Sequence, residues 1–122
     1  MEIMIQKSKP KVSIIMNCLN GEKYLHEAID SVIGQTYTNW ELIFWDNAST
    51  DSSAEILKSY DDDRIKYYRG METISLGSAR NKAIEKTSGK FLCILDTDDK
   101  FLSNKLDIQV QYMLKNPEVV LG

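Results

Sequence analysis

Five short apolar runs alternate along this chain with longer stretches whose apolar residues recur every three or four positions, and that alternation restricts the fold more than any other feature. Short runs bounded by turn residues read as strands and the intervening helical period reads as helices, so the order is that of repeated βαβ units. Such units build parallel sheets covered by helices. The expectation is an α/β chain with a three-layer α/β/α architecture around an open, mainly parallel sheet.

The first run, Val12 to Cys18, is apolar enough for a strand covered on both faces. Asn20 and Gly21 break it, and Tyr24, Leu25, Ala28, Ile29, Val32 and Ile33 then mark one face of a helix ending near Gly34. Residues 40–45 form the second strand, closed by Asp46. Ser49 or Thr50 is the expected cap of a helix carrying Ala54, Leu57 and Tyr60. A third strand spans residues 65–68, followed by a loop from Gly70 to Gly77 and a helix over residues 78–86 that packs through Ala79, Ala83 and Ile84. Gly89 is expected to end that helix as a left-handed cap. Residues 91–95 form the fourth strand, and Leu102, Leu106, Val110, Met113 and Leu114 mark a last helix stopped by Asn116-Pro117. Residues 119–121 read as a strand just beginning, so the 122 residues are expected to be the N-terminal portion of a larger domain, truncated.

Composition excludes several classes. The residues AVILMFWYC make up 43% of the chain, which argues against disorder. Fifteen basic residues against eighteen acidic ones give a net charge of -3 with no basic stripe, so a nucleic-acid partner is not expected. No apolar run approaches the roughly 20 residues that span a bilayer, and the first residues have the wrong order for a secretory signal. A cytoplasmic location is the default. Cys18 and Cys93 lack disulfide or metal-finger spacing and read as buried hydrophobes. One histidine, His26, leaves hydrolase triads and zinc sites without their second group.

In open parallel sheets ligands bind outside the carboxyl ends of the strands. Asn17 and Asn20 flank the end of strand one, Asp46 ends strand two, Arg69 and Gly70 end strand three, and Asp96-Thr97-Asp98-Asp99 follows strand four. In an extended stretch Asp96 and Asp98 project to one side and Asp99 away. Paired carboxylates suit a hard divalent cation, Mg²⁺ or Mn²⁺, that bridges substrate phosphates. The alternative is a solvated acidic turn. Asp46 reads equally as an acceptor for a ribose hydroxyl or base N–H and as a turn former. Arg80, in the first turns of its helix, can add a fork of donors for an anion where backbone N–H groups are free, or lie on the surface.

These residues resemble family 2 glycosyltransferases of the GT-A, Rossmann-like fold. The likeness runs from Val12 to the C-terminus, through VSIIMNCLNGEKYLHEAIDSVIGQTYTNWELIFWDNASTDSS, LGSARNKAIEKTSGKFLCILDTDD and a helix beginning near Asn104. It implies a nucleotide-sugar-binding portion that takes a nucleoside-diphosphate sugar, often a UDP-sugar, for inverting transfer to a saccharide or lipid-linked acceptor in cell-surface polysaccharide synthesis. Asn17, Asp46, Arg80, Asp96 and Asp98 would line the donor site, Asp46 at the base or ribose. Asp96 and Asp98 would be the DxD element, Asp98 the direct ligand of Mg²⁺ or Mn²⁺, with Asp99 assisting. The family commonly shows Thr or Pro, then an aromatic, then Asn where this chain has Asn17-Cys18-Leu19-Asn20, and Leu19 cannot stack on a base. The acceptor site and general base belong to a further part of the family's domain, so no catalytic base is assignable and this chain alone is expected not to transfer sugar. Attachment at the inner face of a membrane would belong to the full-length protein, and surface left uncovered would favour a homo-oligomer.

Two rivals carry the same residues. A strand followed by Asp-x-Asp also opens haloacid-dehalogenase-like phosphatases, but there the motif sits on the first strand and a Thr or Val is expected at Lys100. A non-catalytic nucleotide-binding or assembly module is the other.

Overall fold

A computed structural model describes residues 9–116. Four strands, β1 (Val12–Cys18), β2 (Trp40–Asp46), β3 (Ile65–Arg69) and β4 (Phe91–Ile94), form one sheet of order β3-β2-β1-β4 with every pairing parallel. Helices α1 (Glu22–Ile33), α2 (Ser53–Lys58), α3 (Leu76–Ile84) and α4 (Lys105–Lys115) connect and follow them. The expected α/β architecture is present.

Strand alternation sorts the core. Val12, Ile14, Met16 and Cys18 of β1, with Leu42 and Phe44 of β2, pack in one cluster with Leu25, Ala28, Ile29 and Val32 of α1, Leu57 of α2, and Leu106 and Val110 of α4. Ile15 and Ile43 meet Ala83 of α3 on the other face, flanked by Trp45, Tyr68, Leu92 and Ile94. Three helices thus cover one face and one covers the other. Because β1 leads to β2 and β3 on one side and β4 returns on the other, the sheet has its topological switch beside β1, where a crevice opens at the carboxyl ends.

Several local expectations are corrected. Gly89 does not cap α3: the helix ends at Ile84, Glu85 follows in helical conformation, and no glycine among the described residues has positive φ. Gly89 is instead needed for contact, since a Cβ there would lie 2.6 Å from Ser13 Oγ and 2.8 Å from the Lys11 carbonyl. Ser49 and Thr50 do not cap α2, whose N-cap is Ser52; their amides are held by Asp46 Oδ1 and Asn20 Oδ1, and Asp51 accepts from Ser53 N at 2.9 Å. Gly77 lies inside α3, which starts earlier because the Ser75 hydroxyl accepts from Ser78 N. Leu102 precedes α4 and is exposed, while the helix starts after Asn104. The anticipated strand at 119–121 lies outside the described residues, as does Pro117.

At the amino edge, Glu41 of β2 is 1% exposed and accepts from Ser13 Oγ (2.6 Å), Ser88 N (2.6 Å) and Ser88 Oγ (3.0 Å), with Lys11 Nζ at 3.4 Å. Gly89 N donates to Ser13 Oγ at 2.8 Å. This knot joins β1 and β2 to the lead-in of β4, leaving the opposite edge free for chemistry.

Candidate functional site

The carboxyl edge brings four separate segments around one cavity of about 490 Å³. Asn17, Leu19, Asn20 and Gly21 come from the end of β1, Lys23 and Tyr24 from the start of α1, Leu76 and Arg80 from α3, and Asp96, Thr97 and Asp98 from the turn after β4. Four of the five predicted site residues, Asn17, Arg80, Asp96 and Asp98, therefore share one wall or another of it. Asn17 arrives there because strand alternation puts it on the same face as Ile15, the face that α3 covers.

The acidic segment is folded into a turn and is not extended. Asp99 N donates to the Asp96 carbonyl at 3.1 Å, so Asp99 curls back, contrary to the expectation that it points away. Oxygens from Asp96, Asp98 and Asp99 all lie within 4.8 Å of one another, and all three residues are exposed. Three hard oxygen donors this close together could hold a divalent cation that keeps open positions. Arg80 Nη2 stands 3.6 Å from Asp96 Oδ1, a half-exposed pair that adds little stability. A second cavity, about 580 Å³, shares Asp96 with the first and adds Asp99, Leu102, Lys105 and Ile108.

Two polar groups at the cavity are unsatisfied. Both amide atoms of Asn17 and the Nε of Arg80 are shielded from solvent and make no hydrogen bond. Buried polar groups without partners are costly, and at a cavity wall they mark positions where a ligand can supply the missing bonds.

Asp46 sits elsewhere. It is 0% exposed, and its carboxylate accepts from Ser49 N (2.8 Å), Tyr67 Oη (2.6 Å) and Arg69 Nη1 (2.7 Å). Arg69, expected to face the crevice, turns to this carboxylate and to the Ser49 carbonyl because β2–β3 register sets it directly beside Asp46. Burial, then the bond to Asp46, pushes the Tyr67 phenol pKa up. Burial likewise raises the thiol pKa of Cys18 and of Cys93, in keeping with an inert packing role. His26 lies on α1 with Nδ1 3.0 Å from Tyr60 Oη, outside the cavity.

The cavity-lining residues that sequence reasoning passed over are Gly21, Lys23, Tyr24 and Thr97. Gly21 signalled only a chain break, and Asn20, expected at the end of strand one, adopts φ 54° with its Oδ1 accepting from Thr50 N (2.8 Å) and Asp51 N (3.3 Å), tying the loop after β1 to the loop after β2. No helix among the described residues is long and apolar enough to cross a membrane.

Comparison with known proteins gives this geometry a lineage. The model of Glycosyl transferase family 2 matches residues 13–122. The chain is 41% identical over 105 residues to the Escherichia coli UDP-Glc:alpha-D-GlcNAc-diphosphoundecaprenol beta-1,3-glucosyltransferase WfgD, covering 86% of this chain and 42% of that protein. It is 37% identical over 109 residues to the putative teichuronic acid biosynthesis glycosyltransferase TuaG of Bacillus subtilis, covering 88% and 43%. Among solved structures, S. aureus TarS 1-349 in complex with UDP superimposes with a TM-score of 0.82 at 27% identity, over 86% of this chain and 32% of that one. The chain thus spans less than half the length of these relatives. With the family model matching nearly the whole sequence and the sheet, switch point and acidic turn in the arrangement described, the chain belongs to glycosyl transferase family 2.

Proposed function

We propose that the cavity at the carboxyl edge binds the nucleoside-diphosphate part of a sugar donor, a UDP-sugar, through a divalent cation, and that the whole protein transfers the sugar with inversion to a saccharide or lipid-linked acceptor. The observation that carries this reading is the convergence of Asn17, Arg80, Asp96 and Asp98 on one cavity beside the topological switch. The names of WfgD and of the TarS complex with UDP support the donor class, and the diphosphoundecaprenol in the WfgD name supports a lipid-linked acceptor.

Asp98 and Asp96, with Asp99 beside them, would hold Mg²⁺ or Mn²⁺. When bound, such an ion neutralises charge on a departing diphosphate. The chain's own residues do the remainder. Arg80 offers a guanidinium fork to the phosphates and exchanges its weak pairing with Asp96 for them. The Asn17 amide lies in the same wall with its donor and its acceptor both unpaired. Asp46 contributes by holding Arg69 and the Ser49 turn behind this wall. Uncovered apolar side chains such as Leu102 and Ile108 are where a homo-oligomer would form.

Calorimetric titration with UDP, with and without Mn²⁺, tests the reading. UDP is expected to bind more tightly with Mn²⁺, and Asp98→Ala to weaken the Mn²⁺-dependent part at least about tenfold while the circular dichroism spectrum stays unchanged. Equal UDP affinity in both proteins would remove the cation from the site.

A further inference from the structure

Gly21 and Thr97 meet more closely than any side chain at position 21 would allow. A Cβ on Gly21 would lie 2.7 Å from Thr97 Oγ1, 3.0 Å from Thr97 Cβ and 3.2 Å from Cys18 Sγ. Conformation does not explain the glycine, since its φ of -102° is open to any residue. Contact with the acidic turn does.

The two sides of that contact are held unequally. Gly21 N donates to Ser53 Oγ at 3.1 Å, and Ser53 is fully buried. On either side of it, Asn20 N donates to Ser49 Oγ at 2.9 Å and Glu22 N to Asp51 Oδ2 at 3.1 Å. Thr97, itself half-buried, occupies a turn whose three carboxylates are exposed and which is closed by one backbone bond, Asp99 N to the Asp96 carbonyl. Extra volume at position 21 must therefore move Thr97, and with it the carboxylates on either side.

From this asymmetry we infer that Gly21 is a positioning residue for the cation site: its bare Cα is the stop against which Thr97 seats, and that seating sets the separation of the Asp96, Asp98 and Asp99 oxygens. The inference rests on the reading of those carboxylates as the cation ligands. A contact between the loop after β1 and the turn after β4 also explains how two segments far apart in sequence keep one cavity in register. Asn20 and Ser53 extend the same support to the loop after β2.

The test uses Mn²⁺ alone as probe, followed by electron paramagnetic resonance and by calorimetry, on the wild type, Asp98→Ala, Gly21→Ala and the double variant Gly21→Ala/Thr97→Ala. Gly21→Ala should weaken Mn²⁺ about tenfold, the range for groups that orient metal ligands, broaden the bound-Mn²⁺ spectrum and change the Mn²⁺ to Ca²⁺ preference. The double variant, relieved of the 2.7 Å contact with Oγ1 but keeping the 3.0 Å contact with Cβ, should recover part of the affinity and of the spectrum. Ser13→Ala, at the opposite edge of the sheet, should lower the melting temperature without altering either readout. If Gly21→Ala fails to fold, Thr97→Ile crowds the contact from the side of the acidic turn and should produce the same loss. Wild-type affinity and spectrum in Gly21→Ala, or in Thr97→Ile where that substitute is used, would overturn the inference, and so would loss of Mn²⁺ binding in Ser13→Ala. A wild type that does not bind Mn²⁺, or an Asp98→Ala variant that binds it equally, would instead overturn the cation reading beneath it.

Discussion

A single carboxylate separates what spacing suggests from what packing assigns. Asp46 ends a strand at the edge where ligands bind, yet three donors from Ser49, Tyr67 and Arg69 consume its oxygens. Replacing it strands those donors in a dry setting, at about 1–3 kcal/mol for each buried one left unpaired. Arg69 is 45% exposed and can turn to water, so the main loss comes from Tyr67 and the Ser49 amide. Asp46→Ala is therefore expected to shift the urea midpoint clearly downward. UDP affinity, measured where both proteins remain folded, should change less than in Asp98→Ala. The reverse order would return Asp46 to the ligand. Asn17 shows the opposite pattern, with no partner for either amide atom although it lies one residue from the end of a central strand.

The elements are joined at their two edges by different chemistry. At the amino edge Glu41 gathers β1, β2 and the approach to β4. Burial alone would raise its pKa, but bonds from Ser13 and Ser88 and the charge of Lys11 outweigh that and hold it below the ordinary carboxylate value. A depressed folded-state pKa gives stability that is present above the unfolded value of about 4.3 and is lost as pH falls below it toward the folded value. Melting temperature should thus drop as pH is lowered through that window, and the drop should be smaller in Glu41→Gln. Parallel curves for the two proteins would mean that Glu41 titrates alike folded and unfolded. At the carboxyl edge the joints are loop to loop, through Asn20, Ser49, Ser53 and Thr97, which leaves the cavity open between them.

For the molecule as a whole, protection is uneven. One face of the sheet is sealed by α1, α2 and α4, while the other is covered by α3, of which only Ala79 and Ala83 are buried. Small side chains bury little apolar area, so α3 is held by few kcal/mol relative to the central strands. Hydrogen exchange should show β1 and β2 amides opening only with global unfolding and α3 amides opening locally at lower free energy. Equal protection in α3 and β1 would contradict this division. Arg80 rides on α3, so one of the cavity's two cationic groups, the other being Lys23, sits on the less protected part of the fold.

Among the described residues, the alternation of apolar runs made four of the five expected strands, four helices and a parallel sheet legible, because strand and helix periods are local properties of the chain. The acidic residues and Arg80 were legible for a related reason: charges at the ends of apolar strands announce themselves in one dimension. Distance across the sheet does not. That Gly89 seats against Ser13, that Arg69 pairs with Asp46 and that Gly21 stops Thr97 all depend on segments tens of residues apart meeting within a few ångströms. Only packing decides which of two facing groups has room, and glycine leaves no mark in a sequence to say whether it is there for its dihedral freedom or for its missing side chain.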